Sequence, residues 1–153
     1  MIDIYDFIEA AKAHPMLSTL EPRHMEKLIG LAKEVRHGAD EIILREGSKA
    51  DYLYFLLEGC VALEIPTRAR AVWVQSLGPG DAIGWSALLG VGGDHFQARS
   101  LEPVRALAFE GAQLRAACES DPMFGYNMSK LVLGLASACL DATQMRLVEQ
   151  ISH

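Results

Sequence analysis

The 153-residue sequence predicts a mainly β domain with helices at both ends: an antiparallel sandwich or barrel between a short helical lead-in and a long C-terminal helix. Three observations predict it. Residues 35–110 break into short β-rich runs punctuated by Gly, Asp and Pro; the residues before them place apolar side chains at helical spacing; and the residues from 111 onward return to that spacing and keep it to the end.

Ile4, Phe7, Ile8 and Ala11 predict a first amphipathic helix over residues 2–13, stopped by His14-Pro15. "LSTLEPRHMEKLIGLAKEV" predicts a second, with Ser18 or Thr19 as cap, Pro22 near the first turn, and Met25, Leu28, Ile29 and Ala32 along one side. Strands follow from Val35 in "EIILREG", "YLYFLLEGCVALEI", "RAVWVQSLGPGD" and "HFQARSLEPVRALAFEG". The apolar run Leu53 to Leu57 predicts a strand covered on both faces, and Gly59, Gly78-Pro79-Gly80 and Glu102-Pro103 supply turns. Within this region Trp85 to Leu89 reads as one helical turn between strands. Beyond Gly111, "AQLRAACES" predicts a helix, and a longer one runs from Asp121-Pro122 to Ile151. On that helix Met128, Leu131, Leu135, Ala138, Ala142 and Met145 alternate three and four apart, a coiled-coil-like seam that predicts a homodimer interface. Val132, Leu140, Leu147 and Ile151 widen the apolar surface beyond one seam; the alternative is a helix packed wholly within its own domain.

Composition narrows the function classes. Half the residues are hydrophobic and the mean hydropathy is +0.14, yet no uninterrupted apolar run approaches the ~20 residues of a membrane-spanning helix. Asp3, Asp6 and Glu9 near the N-terminus fit neither a signal peptide nor a transit peptide, so a cytoplasmic protein without a membrane span is expected. Cys60, Cys118 and Cys139 form no CxxC pair, which argues for buried thiols over disulfides or zinc. A net charge of -6 without a basic stripe argues against nucleic acid as a partner. No Ser-His-Asp order, paired-carboxylate signature or Walker-type loop is present, and Asp94 and His95, adjacent on a strand, would point to opposite faces. No enzymatic activity and no cofactor are expected. His95 invites a metal, but a lone histidine without spaced His or Cys partners is more often a hydrogen-bonded strand residue.

"ILREGSKADYLYFLLEGCVALE", "LGPGDAIGWSALL" and "SLEPVRALAFEGAQLRAACESDP" come in that order, and in it the chain resembles the cyclic-nucleotide-binding domain of the catabolite-activator and FNR-type regulators. In the first stretch Glu46-Gly47 makes a turn, Asp51 starts a strand, Tyr54 and Phe55 fill the roll and Gly59 makes the hairpin; the second is similar to the glycine turn that leads into the phosphate-binding cassette. The resemblance implies one domain over 1–153 built on a double-stranded β-helix, or jelly-roll-like, barrel. Residues 1–34 are its N-terminal helices, 35–110 the β-roll with a cassette helix near 84–90, and 111–153 C-terminal helices that dimerise. The chain stops at His153, where such regulators continue for some ~60–80 residues into a helix-turn-helix, so no DNA-binding domain is expected.

In members of that family that bind cyclic nucleotides the cassette reads Gly-Glu-x-Ala-Leu and then, after a short loop, Arg-Ser/Thr-Ala. Amides of the small helix and the guanidinium hold the phosphate, and the Glu takes the ribose hydroxyl. Gly84, Ala87 and Leu88 match; Trp85 stands at the Glu position, and Asp94, His95 and Phe96 fall on the Arg-Ser/Thr-Ala positions. Truncating one partner of a buried charged hydrogen bond costs about 2–5 kcal/mol, enough to remove micromolar affinity. The base-contacting hydroxyl of the long helix falls near Cys139 or Leu140, neither a substitute for Ser or Thr.

The candidate ligand-binding set is Gly84, Trp85, Ser86, Ala87, Leu88, Asp94, His95, Phe96, Gln97 and Arg99. Trp85 either fills the space of the missing sugar or forms, with His95 and Phe96, an aromatic wall for a flat, less charged ligand. Arg99 is either an outward strand arginine or a replacement cation for phosphate. The function expected is a stand-alone regulatory or sensor module, a homodimer that binds an unconventional small molecule or none. The alternatives are a genuine cAMP or cGMP sensor, and a ligand-free interaction subunit that docks on a protein partner.

Overall fold

In a computed structural model the described residues are 5, 8–9, 18, 20–49, 51–90 and 96–152. Tyr5, Ile8 and Glu9 are helical; the rest of the first predicted helix lies outside the described residues. Helix α1 (Pro22–Leu31) begins with Pro22, whose fixed φ suits a first turn and whose missing N–H costs nothing there. The expected caps do not serve it: Glu21 is the capping residue and offers no side-chain bond, and Thr19 lies outside the described residues.

Eight strands follow: β1 (Ala32–His37), β2 (Ile42–Leu44), β3 (Tyr52–Glu58), β4 (Val61–Pro66), β5 (Ala71–Leu77), β6 (Ala82–Ile83), β7 (Gln97–Ser100) and β8 (Val104–Glu110). They form two four-stranded antiparallel sheets, β1-β8-β3-β6 and β2-β7-β4-β5. The first strand starts three residues before Val35, because Ala32 is extended and pairs with Phe109 of β8. The ladder to β8 takes residues that spacing alone assigns to the helix. Glycines with positive φ make the turns: Gly59 at +92° lies so close to Pro103 that a Cβ would meet its carbonyl oxygen at 2.4 Å.

Strand β3 divides the interior. Leu53, Phe55 and Leu57 face a cluster roofed by helices, with Leu28, Leu107, Phe109, Leu114, Phe124, Met128 and Leu131. Leu56 joins the cluster inside the roll, with Val61, Leu63, Ile83, Ala98, Val104 and Ala106. The continuous apolar run of β3 is thus covered on both faces, as its sequence requires.

Helices α2 (Gly111–Ser120) and α3 (Pro122–Ile151) close the fold. Asp121 separates them and caps α3, accepting from the Phe124 amide at 3.2 Å, and its other oxygen takes Arg23 at 3.0 Å and Lys27 at 3.5 Å from α1. The Phe124 amide first, and the two cations after it, hold the Asp121 carboxyl below its ordinary range.

The seam counted on α3 is not free. Met128 and Leu131 are 0% and 1% exposed in the chain's own core and Leu135 packs against them, whereas Ala138 and Met145 are exposed and Ala142 is half-buried. Apolar positions of the N-terminal half roof the roll, and a different stripe faces out: Tyr126, Leu133, Leu140 and Leu147, seven residues apart and 60%, 70%, 58% and 59% exposed. Helix α3 is also, by length and composition alone, apolar enough to cross a membrane, with a mean hydropathy of 1.3 over its best 18 residues. Interruptions by Asn127, Ser129 and Lys130 hide this in the sequence, where only uninterrupted runs stand out. Phe124, Met128, Leu131, Val132 and Cys139 bury its inner face against the roll.

Candidate functional site

The cassette is a single 3-10 turn, Trp85–Leu88, hung on Gly84. Gly84 has φ +78°, and a Cβ there would lie 2.4 Å from the Tyr52 carbonyl oxygen, so the chain passes under β3 only with glycine at this position. The Ala87 amide donates to the Gly84 carbonyl at 3.0 Å, leaving the amides of Trp85 and Ser86 as first-turn donors outside the helical ladder. Ser86 and Ala87 are buried. The matrix of the cassette that the sequence announces, glycine then a helical turn, is therefore formed.

The Trp85 side chain reaches from the turn toward Cys139 on α3, where its indole N–H acts to lower the thiol's pKa. Cys139 in turn donates to Gln75 Oε1 at 3.6 Å, and burial pushes its thiol up, with the indole N–H acting in the opposite sense. Trp85, Phe96, Leu44, Leu63 and Ile83 line a remaining cavity of about 20 Å³. That is room for about one water, against the roughly 300–1,000 Å³ of ordinary ligand pockets.

Arg99 is not aimed at this cavity. Its neighbour Ala98 is fully buried in the roll, so strand alternation turns Arg99 to the opposite face. There it forms a fork on Glu64, Nε to Oε1 at 3.1 Å and Nη2 to Oε2, and reaches Asp40 at 3.1 Å. Gln97 lies beside it and donates to the same Glu64 Oε1 at 3.1 Å. The Arg99 bonds hold the Glu64 carboxyl below its ordinary 4.5 despite burial, and the pair raises Arg99 further above its already high value. Asp94 and His95 lie outside the described residues, and with them the metal reading of His95.

Arg115 is a site residue that spacing alone does not reveal. From α2 its Nη1 donates to the Ala87 carbonyl at 2.6 Å, so Arg115 pins the cassette turn to α2. The signal in the sequence is indirect: Gly90 and Gly111, where a Cβ would come within 2.8 Å and 2.9 Å of the Arg115 side chain.

With this geometry in place, likeness to known proteins is decisive for the family. The profile of the cyclic nucleotide-binding domain family matches residues 34–121. The chain belongs to that family. A crystal structure of a candidate cyclic nucleotide-binding protein from Geobacter metallireducens is 28% identical, with a TM-score of 0.75 over 92% of this chain and 99% of that one. A cyclic nucleotide-binding domain from Methylobacillus flagellatus, 16% identical, shares the fold with a TM-score of 0.82 over 96% of this chain and 83% of its own. A candidate potassium channel protein of Rhodopseudomonas palustris is 26% identical over 122 residues, 78% of this chain but only 29% of the channel protein. The chain thus corresponds to under a third of that relative and to nearly the whole of the Geobacter protein. Domains of this family are regulatory modules rather than catalysts.

Proposed function

We propose that this protein is a regulatory module of the cyclic nucleotide-binding family whose cassette is occupied by its own Trp85, so that it does not take cAMP or cGMP in the family's usual way. The observation that carries the reading is the cavity beside the turn, which Trp85 and Phe96 line and which holds only about 20 Å³. Charge supports it: Trp85 and Asp94 stand where the resemblance asks for Glu and Arg, and Arg99, the cation nearest in sequence, is committed to Glu64 on the other face of β7. Signals would pass between cassette and helices through Trp85, which reaches toward Cys139 on α3, and Arg115, which reaches Ala87 from α2.

Self-association belongs to the same reading. Tyr126, Leu133, Leu140 and Leu147 recur every seven residues on the outward face of α3, the period at which one helix meets another along a left-handed seam. The same exposed stripe favours a second reading, a ligand-free subunit whose α3 docks on another protein.

The test is a calorimetric titration with cAMP of the natural protein beside a Trp85→Glu, Asp94→Arg variant. Binding by the variant alone supports the reading; binding by the natural protein defeats it. A variant that stays folded by circular dichroism yet does not bind defeats the assignment of Trp85 and Asp94 to the lost positions.

A further inference from the structure

Space closed in the cassette reopens beside it. A cavity of about 290 Å³ lies between the start of β3 and the start of α2, lined by Lys49, Asp51, Tyr52, Gly90, Glu110 and Arg115 among others. A second, of about 280 Å³, shares Lys49, Asp51 and Tyr52 and continues over Tyr54. Together they reach the size of small-molecule sites, and each far exceeds the cassette remnant.

Arg115 is held here with little freedom. Gly90 and Gly111 flank its side chain so closely that a Cβ on either would clash with it, and Ala87 takes one of its N–H groups. A guanidinium has five N–H donors, and among the described residues the other four have no hydrogen-bond partner. The Glu110 carboxylate, at the start of the same helix, makes no hydrogen bond or ion pair among the described residues, and Lys49 reaches Asp51 only at 4.0 Å. Two cations and two carboxylates therefore share one opening. A simple anion would satisfy Arg115 and be repelled by Glu110, and a simple cation the reverse; a molecule bearing both charges satisfies both. In the continuing cavity the Tyr52 and Tyr54 rings, 6.0 Å apart and tilted by 35°, give an aromatic shelf beside the charges.

We propose that this groove binds a small zwitterion of the α-amino acid class, with its carboxylate on Arg115, its ammonium on Glu110 and an apolar or aromatic side chain over Tyr52 and Tyr54. The site adjoins the cassette through Arg115 and does not depend on what the cassette binds.

The experiment is a ¹H–¹⁵N NMR titration of the full chain with L-phenylalanine, L-leucine, and two half-ligands: 3-phenylpropionate, which lacks the ammonium, and phenethylamine, which lacks the carboxylate. At least one amino acid is expected to shift the amides of Lys49, Tyr52, Gly90 and Ala112 saturably, with both half-ligands weaker by about tenfold or more. Glu110→Gln should weaken the amino acid and, with the repulsion removed, tighten 3-phenylpropionate, so that the two bind alike. Equal binding of 3-phenylpropionate and L-phenylalanine, or no saturable shift with either amino acid at about 10 mM, would overturn the proposal.

Discussion

At the scale of single residues, Trp85 and Arg99 explain why a familiar cassette reads so differently here. The Trp85 indole is half-buried and lies against the helix-roofed core. Trp85→Ala is expected to enlarge the 20 Å³ cavity and to cost roughly 2–3 kcal/mol, read as a lower denaturation midpoint in urea. A variant as stable as the natural protein would show that the indole contributes little packing. Arg99 makes a prediction in pH. Its bonds lower the folded-state carboxyl of Glu64, so the unfolded chain binds the proton more tightly. The stabilisation is complete above the ordinary value of 4.5 and is lost as pH falls through the lowered folded value. Arg99→Ala should cost about 3 kcal/mol near neutrality, because it strands a carboxylate that is 4% exposed, and should flatten the loss of stability on acidification. Thermal melts between neutral and acid pH read both effects, and parallel curves for the two proteins would contradict them.

Among elements, the cassette turn and α3 carry the account. Gly84→Ala combines a left-handed φ with a Cβ 2.4 Å from the Tyr52 carbonyl, so β6 and the turn have to move. The expected loss is about 3 kcal/mol or more, with hydrogen exchange quickening first in β6 and at Tyr54. On α3, Leu133→Glu with Leu140→Glu should reduce a dimer to a monomer by sedimentation without lowering helix content, since both side chains already face outward. These two elements also mark how far the sequence could be read. Turns at Gly59 and Gly78-Pro79-Gly80, the two-faced strand at Leu53 to Leu57 and the helical turn at Trp85 were legible, because each depends on local chemistry. The seam on α3 was not: the 3,4 spacing of Met128, Leu131 and Leu135 is the same whether the helix meets its own roll or a second chain, and only tertiary contacts separate the two. Likewise the helix boundary at Ala32 was set by pairing with Phe109, 77 residues away in sequence, which no local pattern contains. Arg115 escaped for the same reason, since its partner is a backbone carbonyl at Ala87.

For the molecule as a whole, the fold is that of the cyclic nucleotide-binding family, and Trp85 is proposed to take the space of the nucleotide within it. The roll, the glycine turn at Gly84 and the short helical turn at Trp85–Leu88 are present. Arg115 ties the cassette to α2 and Asp121 ties α1 to α3, so any ligand that moved the cassette would work against both the roll and the helical roof. The measurement that tests the central claim most directly is an isothermal titration of the natural protein with cAMP and with cGMP at neutral pH. No saturable heat is expected from either, because Trp85 lines the site and, among the described residues, no guanidinium is aimed into it. Saturable heat at micromolar concentration would contradict it, and would mean that Trp85 leaves the cavity for a nucleotide whose phosphate finds its donors elsewhere.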